Sequence, residues 1–202
     1  WLFVHGGSGQ FVFGDTMRYL TLADNTLSGV GYVYDGILET FRLPGYPAYL
    51  MLLRLLHAPL IVGSIIQIVL ASCIAVWAYW FARTRLVLSD RSALLVGLFA
   101  AIEPIQVYYS VILLPDVLFT VAFLVTFTFA LKWMDSPNVR DSIIIGTAIG
   151  IGNYIRPVMI YYPFFIALVF IALAIVRKTG LKKAVISSAL IGVVAFAIMA
   201  PW

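Results

Sequence analysis

Long apolar stretches separated by short charged segments set the layout of the chain. Leu60 to Ala82 runs without a charge, and Ser92 to Leu114 is equally long but is interrupted by Glu103-Pro104. Val117 to Leu131, Ser142 to Ile155, Val158 to Val176 and Ala184 to Ala200 follow. A crossing helix needs about 20 apolar residues. The pattern therefore predicts about six crossings over 60–202, with residues 1–4 as the end of an earlier one. Between them, 5–59 reads as one outer loop with two short interfacial helices. In 16–28, Leu20, Ala23 and Leu27 with Tyr19 form one stripe, and Arg18, Thr21, Asn25 and Ser28 the opposite one. Asp15 is placed to cap this helix and Gly29 to stop it. Pro44 to Leu56 gives the second helix, ended before Pro59. His5 to Gly9 reads as a turn and 30–43 as an irregular loop rich in Gly, Tyr and acid. The fold class expected is all-α: a polytopic transmembrane helical bundle forming one membrane-embedded domain over 1–202.

Composition agrees with this layout. The chain is 63% hydrophobic and 11% charged, against about 25% charge in soluble domains. A soluble globule, a disordered tail and a disulfide scaffold are excluded. The net charge of +4 is thin and scattered, so no nucleic-acid partner is expected. Cys73 is the single cysteine; it can form no intrachain disulfide and is expected to be a small core residue. His5 and His57 are far apart, and nothing has metal-ligand spacing. The sequence requires no cofactor, and a divalent metal stays open. The chain opens on Trp1-Leu2-Phe3-Val4 and closes on Pro201-Trp202 after an apolar run. It is expected to be an internal piece of a longer protein whose C-terminal part lies beyond it.

Charge sets the orientation. Arg83, Arg85 and Arg91, then Lys132 and Arg140, then Arg177, Lys178, Lys182 and Lys183 mark three loops as cytoplasmic by the positive-inside rule. Asp15, Asp24, Asp35, Glu39, Glu103 and Asp116 fall on the opposite side. Keeping the three basic loops together requires a break at Arg156-Pro157, where proline disfavours helix at the preceding residue.

The candidate chemistry gathers on the outer side. Asp15 serves either as a helix cap or as a carboxylate at the membrane boundary, where desolvation would make it a better proton acceptor. Asp116, after Pro115, opens the span 117–131 as an acid at the positive helix end. Glu103 is expected near the outer boundary, because a charge deep in lipid costs at least about 2.5 kcal/mol. Arg42 and Arg156, each close to proline, serve either as interfacial anchors or as a fork for a lipid phosphate. Trp77, Tyr79 and Trp80 at one end of the first span, and Tyr108, Tyr109, Tyr161 and Tyr162 at the outer side, read as belt residues.

The order of these features resembles the GT-C glycosyltransferases, in particular the bacterial dolichyl-phosphate-mannose-mannosyltransferase-like and aminoarabinose-transferase-like group. The residues that carry the likeness begin with Gly14-Asp15-Thr16-Met17-Arg18-Tyr19 and Arg42 to Pro47, which includes Pro44-Gly45-Tyr46-Pro47. Gln67, Pro115-Asp116, the glycines 146, 150 and 152 ahead of Arg156-Pro157, and Pro201-Trp202 complete the series. Here Asp15 stands alone where the group often has two acids together in the first outer loop, the fourth-helix acid is Asp, and Glu103 is an extra. The resemblance implies a polyprenyl-phosphate-sugar donor, a membrane-lipid setting and inverting transfer to an unidentified acceptor (lipid, glycan or protein) on the extracytoplasmic face of the cell membrane. It implies Asp15 and Asp116 as catalytic carboxylates, with Asp116 orienting the acceptor or a divalent ion. Arg42, Tyr46, Arg156, Glu103, Arg18 and Tyr19 become donor-phosphate or substrate contacts. A transporter or flippase of lipid-linked sugars is the alternative. It needs polar groups along a mid-membrane path, and only Gln67 and Asn153 lie well inside spans.

Overall fold

The computed structural model describes residues 15–177 and 180–202; the helix end expected at 1–4 and the turn expected at 5–9 lie outside them. The elements are α1 (Thr16–Leu27), β1 (Val33–Tyr34), β2 (Ile37–Leu38), α2 (Gly45–Leu55), α3 (Leu60–Thr84), α4 (Asp90–Ile102), α5 (Pro104–Val111), α6 (Asp116–Asp135) and α7 (Val139–Ile155). A 3-10 turn (Pro157–Tyr161), α8 (Tyr162–Val176) and α9 (Leu181–Met199) follow. The fold is all-α apart from one small hairpin. By length and composition, α3, α6, the 3-10 turn with α8, and α9 can each cross a membrane; α4 and α5, bent by 47°, make a fifth if the pair is one span. Their outward side chains are apolar, with Phe164, Phe165 and Leu168 well exposed. Such a surface is stable only against lipid.

The chain forms two compact units. The first comprises residues up to Thr40 and Tyr46–Leu118. In it, α1 ends in a Schellman motif: Gly29 N–H donates to the Thr26 carbonyl (3.2 Å) and Val30 N–H to that of Asn25 (3.0 Å). Gly29 sits at φ +79°, the left-handed cap that glycine adopts without penalty. The buried stripe of α1 is Thr16, Leu20, Leu22 and Ala23. Leu27, expected in that stripe, is exposed. The loop expected at 30–43 contains an antiparallel hairpin pairing Val33 with Leu38 and Tyr34 with Ile37. Its turn residues Asp35 and Gly36 both have positive φ, the geometry that Asp-Gly favours.

The face of α3 that packs inside this unit is made of small and polar residues: Gly63, Ser64, Gln67, Ala71, Ala75 and Ala82. Small residues let membrane helices approach closely where apolar burial gives no preference. Gly97 of α4 meets this face; a Cβ there would lie 2.9 Å from the Cβ of Tyr79. Cys73 is exposed on α3 and is not the core residue expected. An apolar side chain on a lipid-facing helix has no drive toward the protein interior.

The second unit comprises Phe41–Gly45 and Phe119–Trp202. Asn138 caps α7 by accepting from the Asp141 N–H (2.8 Å). Gly146 and Gly150 of α7 face α9, where Cβ atoms would come within 2.8 Å of the Ile191 carbonyl oxygen and of the Ile198 Cβ, respectively. This small-xxx-small notch lets the two backbones touch. The core holds Trp133, Ile145, Ile149, Met159, Ile166, Phe170 and Ile191. Trp133 stacks on Phe170 with centroids 3.7 Å apart and donates its indole N–H to Ser187 Oγ (3.0 Å). The helix breaks at Arg156, whose backbone is extended, as the Arg-Pro pair predicts.

Candidate active site

The first unit holds both candidate catalytic carboxylates. Asp15 precedes α1 and is exposed. Its side chain makes no cap hydrogen bond; its carbonyl accepts from the Tyr19 N–H (3.1 Å). Side-chain capping of α1 therefore does not account for Asp15. Asp116 opens α6 behind the buried Pro115, at the positive end of the helix dipole as expected.

The position of Asp116 is fixed by buried polar side chains that the sequence pattern does not reveal. The non-helical link 112–115 joins α5 to α6. Its Leu113 carbonyl accepts from Thr16 Oγ1 of α1 (3.0 Å), and its Leu114 carbonyl from Gln67 Nε2 of α3 (2.6 Å). Both donor side chains are fully buried. Two separate helices thus hold consecutive carbonyls just ahead of Asp116. Gln67 Nε2 also lies 3.5 Å from the Tyr46 hydroxyl. The Gln67 Oε1 and Ser64 Oγ atoms are buried without a hydrogen-bond partner. The signal available in the sequence was a Thr and a Gln at positions whose helical neighbours are apolar.

Four of the expected substrate contacts, Tyr46, Tyr19, Arg18 and Glu103, make structural contacts within the first unit. Tyr46 is fully buried, with the Tyr19 ring edge-on at 5.1 Å and the Tyr49 ring at 5.7 Å. It is a core residue, and Tyr19 packs on it. Burial, with the neighbouring Tyr49, Tyr19 and Asp116 adding to it, pushes the Tyr46 hydroxyl far above its ordinary range, so it stays a neutral O–H. Arg18 forms an ion pair with Glu39 (Nη2 to Oε2, 2.5 Å), whose side chain is only 3% exposed. Its guanidinium also lies 4.6 Å from the Tyr34 ring centroid. Arg18 ties the hairpin to α1, assisted by Asn25 Nδ2 donating to the Val33 carbonyl (2.8 Å). Glu103 caps α5, accepting from the Ile105 and Gln106 N–H groups (3.2 and 2.5 Å), with Pro104 at the first helical position. Its carboxylate caps the start of α5, and its backbone leaves the helical region at the end of α4.

The second unit holds the two candidate phosphate-binding arginines. Arg42 lies in the segment 41–45, which packs on the end of α7: a Cβ on Gly45 would sit 2.5 Å from the Tyr154 carbonyl carbon. Glycine is required there because the opposing atoms are backbone. Arg156 follows two residues after Tyr154, so the segments bearing the two arginines touch. Arg156 is half-buried, with its guanidinium carbon 5.4 Å from the Phe119 ring centroid. The ring contact fixes the plane of the Arg156 guanidinium fork. Among the described residues, no three His, Cys, Asp or Glu side chains are grouped to hold a metal ion.

No curated protein and no solved structure matches the chain. Residues 44–202 match the dolichyl-phosphate-mannose-protein mannosyltransferase family. That stretch takes in the segment after Arg42, the Gln67 and Asp116 positions, the α7 glycines and the Arg156 break. The chain belongs to the dolichyl-phosphate-mannose-protein mannosyltransferase family, multi-pass membrane glycosyltransferases of GT-C type.

Proposed function

We propose that the protein moves a sugar, with inversion, from a polyprenyl-phosphate-linked donor to a lipid, glycan or protein acceptor on the extracytoplasmic face of the cell membrane. The family match over 44–202 is the observation that carries this reading. The fixed place of Asp116 and the exposure of Asp15 are consistent with it.

Asp15 takes the proton from the acceptor as general base, or positions that acceptor; Asp116 orients it. A planar guanidinium, from Arg42 or Arg156, neutralises the departing lipid phosphate, whose charge grows in the transition state. Tyr46, Tyr19, Arg18 and Glu103 support the site by holding its frame.

The test is sugar transfer by the full-length protein in membranes supplied with a labelled polyprenyl-phosphate sugar. Asp15→Asn is expected to lower turnover by about a hundredfold or more, the usual contribution of a general base. Near-wild-type turnover would remove Asp15 from the chemistry. Vesicle uptake of the labelled donor without transfer would overturn the transferase reading in favour of a flippase.

A further inference from the structure

We infer that the basic end of the second unit carries a binding site for the phosphodiester headgroup of an anionic glycerophospholipid. A cavity of about 430 Å³ opens there between the last turns of α6 and α8 and the first turn of α9. That size lies within the usual range of ligand pockets. Its wall carries two cations, Arg177 and Lys183, and one carboxylate, Asp135. Among the described lining residues one positive charge is thus in excess, the complement of a single phosphodiester.

The floor is rigid and apolar. Trp133 and Phe170, stacked at 3.7 Å, line the cavity with Leu173 and Ala174. The indole N–H is held by Ser187, so the floor presents carbon to the ligand. Arg177 reaches over the rim and donates from Nη1 to the Met134 carbonyl (3.3 Å), leaving further guanidinium N–H groups for an oxyanion. Gly180, the N-cap of α9, and Lys183 and Ala184 of its first turn line the cavity, so the positive helix end adds to the attraction.

The cavity lies where apolar helices give way to charged loops, the depth of lipid headgroups. Basic pockets between membrane helices are suited to anionic headgroups, and acyl chains can continue along the apolar flanks. A soluble anion would gain the charge contacts but not the apolar floor. This site involves none of the residues proposed for sugar transfer.

Native mass spectrometry of the full-length protein, titrated in detergent with phosphatidylglycerol, phosphatidylcholine or inorganic phosphate, tests this. Phosphatidylglycerol is expected to bind the wild type more tightly than phosphatidylcholine. The double variant Arg177→Gln/Lys183→Gln should weaken it about thirtyfold, a loss of roughly fivefold per charge compounded over two charges. Arg177→Lys should retain most of the binding. Arg140→Gln, a basic residue outside the cavity, should leave it unchanged. Equal binding by wild type and double variant, equal loss in Arg140→Gln, no preference over phosphatidylcholine, or displacement by inorganic phosphate at matched concentration would each overturn the proposal. Because none of these readouts is sugar transfer, failure here is distinct from failure of the transferase reading.

Discussion

Gln67 donates its side-chain N–H to the carbonyl of Leu114 at 2.6 Å, two residues ahead of Asp116. The donor side chain is fully buried, and the carbonyl belongs to a link with no helix or strand to satisfy it. Replacing Gln67 by Leu removes the donor and strands that acceptor, a cost of about 1–3 kcal/mol. Asp116 then loses one of its two upstream restraints. Sugar transfer by Gln67→Leu is expected to fall about tenfold, with a smaller loss in Gln67→Glu, whose protonated form can still donate. Unchanged turnover in Gln67→Leu would show that the link is held without it.

Arg156→Lys is expected to behave almost as badly as Arg156→Ala. The guanidinium rests on the Phe119 ring and offers a planar fork that an ammonium lacks. Loss of an oxyanion-stabilising donor costs about 100–1000-fold in turnover. Steady-state kinetics with the labelled donor check this: kcat should fall more than KM rises.

Gly45→Ala places a methyl 2.5 Å from the Tyr154 carbonyl carbon and 2.6 Å from its oxygen. Backbone cannot yield as a side chain can, so the segment bearing Arg42 must shift. Overpacking of this kind costs about 1–3 kcal/mol. The expected result is a lower melting temperature in detergent together with reduced transfer.

Arg18→Met leaves the Glu39 carboxylate buried without its cation. Because Arg18 is about a third exposed, the expected loss is about 2–3 kcal/mol, below that of a fully buried pair. Arg18→Met/Glu39→Gln should recover most of it. Thermal unfolding of the four proteins in a double-mutant cycle measures the coupling.

Alkaline pH should loosen the first unit. Burial pushes the Tyr49 hydroxyl up to about 12 from 10, and Tyr46 is raised further. A group whose pKa is raised by folding stabilises fully below its unfolded value and ceases to do so as pH passes the folded one. Stability should therefore hold up to about pH 10 and decline between about 10 and 12. Tyr49→Phe loses the bond to the Gly63 carbonyl (2.8 Å) but should flatten that decline, read as melting temperature against pH.

Local signals carried much of the fold. The cap at Gly29, the breaks at Glu103-Pro104 and Arg156-Pro157, and the limits of α1 and α2 follow from glycine and proline chemistry that acts within a few residues. The hairpin was also written locally, in Asp35-Gly36, but its strands of two residues are too short for alternation to register. Facing was less legible. A helix apolar all round has no polar side to mark what points outward, so Cys73 could not be placed from its neighbours. In α3 it is the small residues that mark the inner face. The site residues divide in the same way. Helix-end acids and proline-flanked arginines are visible as types, whereas the contacts of Arg18 with Glu39, and of Thr16 and Gln67 with the 113–114 carbonyls, span 21 to 97 residues and exist only after folding.

The notch formed by Gly146 and Gly150 has a practical corollary for handling the protein. Where two main chains abut, cohesion comes from dispersion at short range and owes nothing to the surrounding solvent. Exchanging the bilayer for a micelle should leave α7 and α9 joined. Limited proteolysis after extraction should therefore spare this pair as the last intact fragment, with fraying starting at helices whose neighbours were acyl chains.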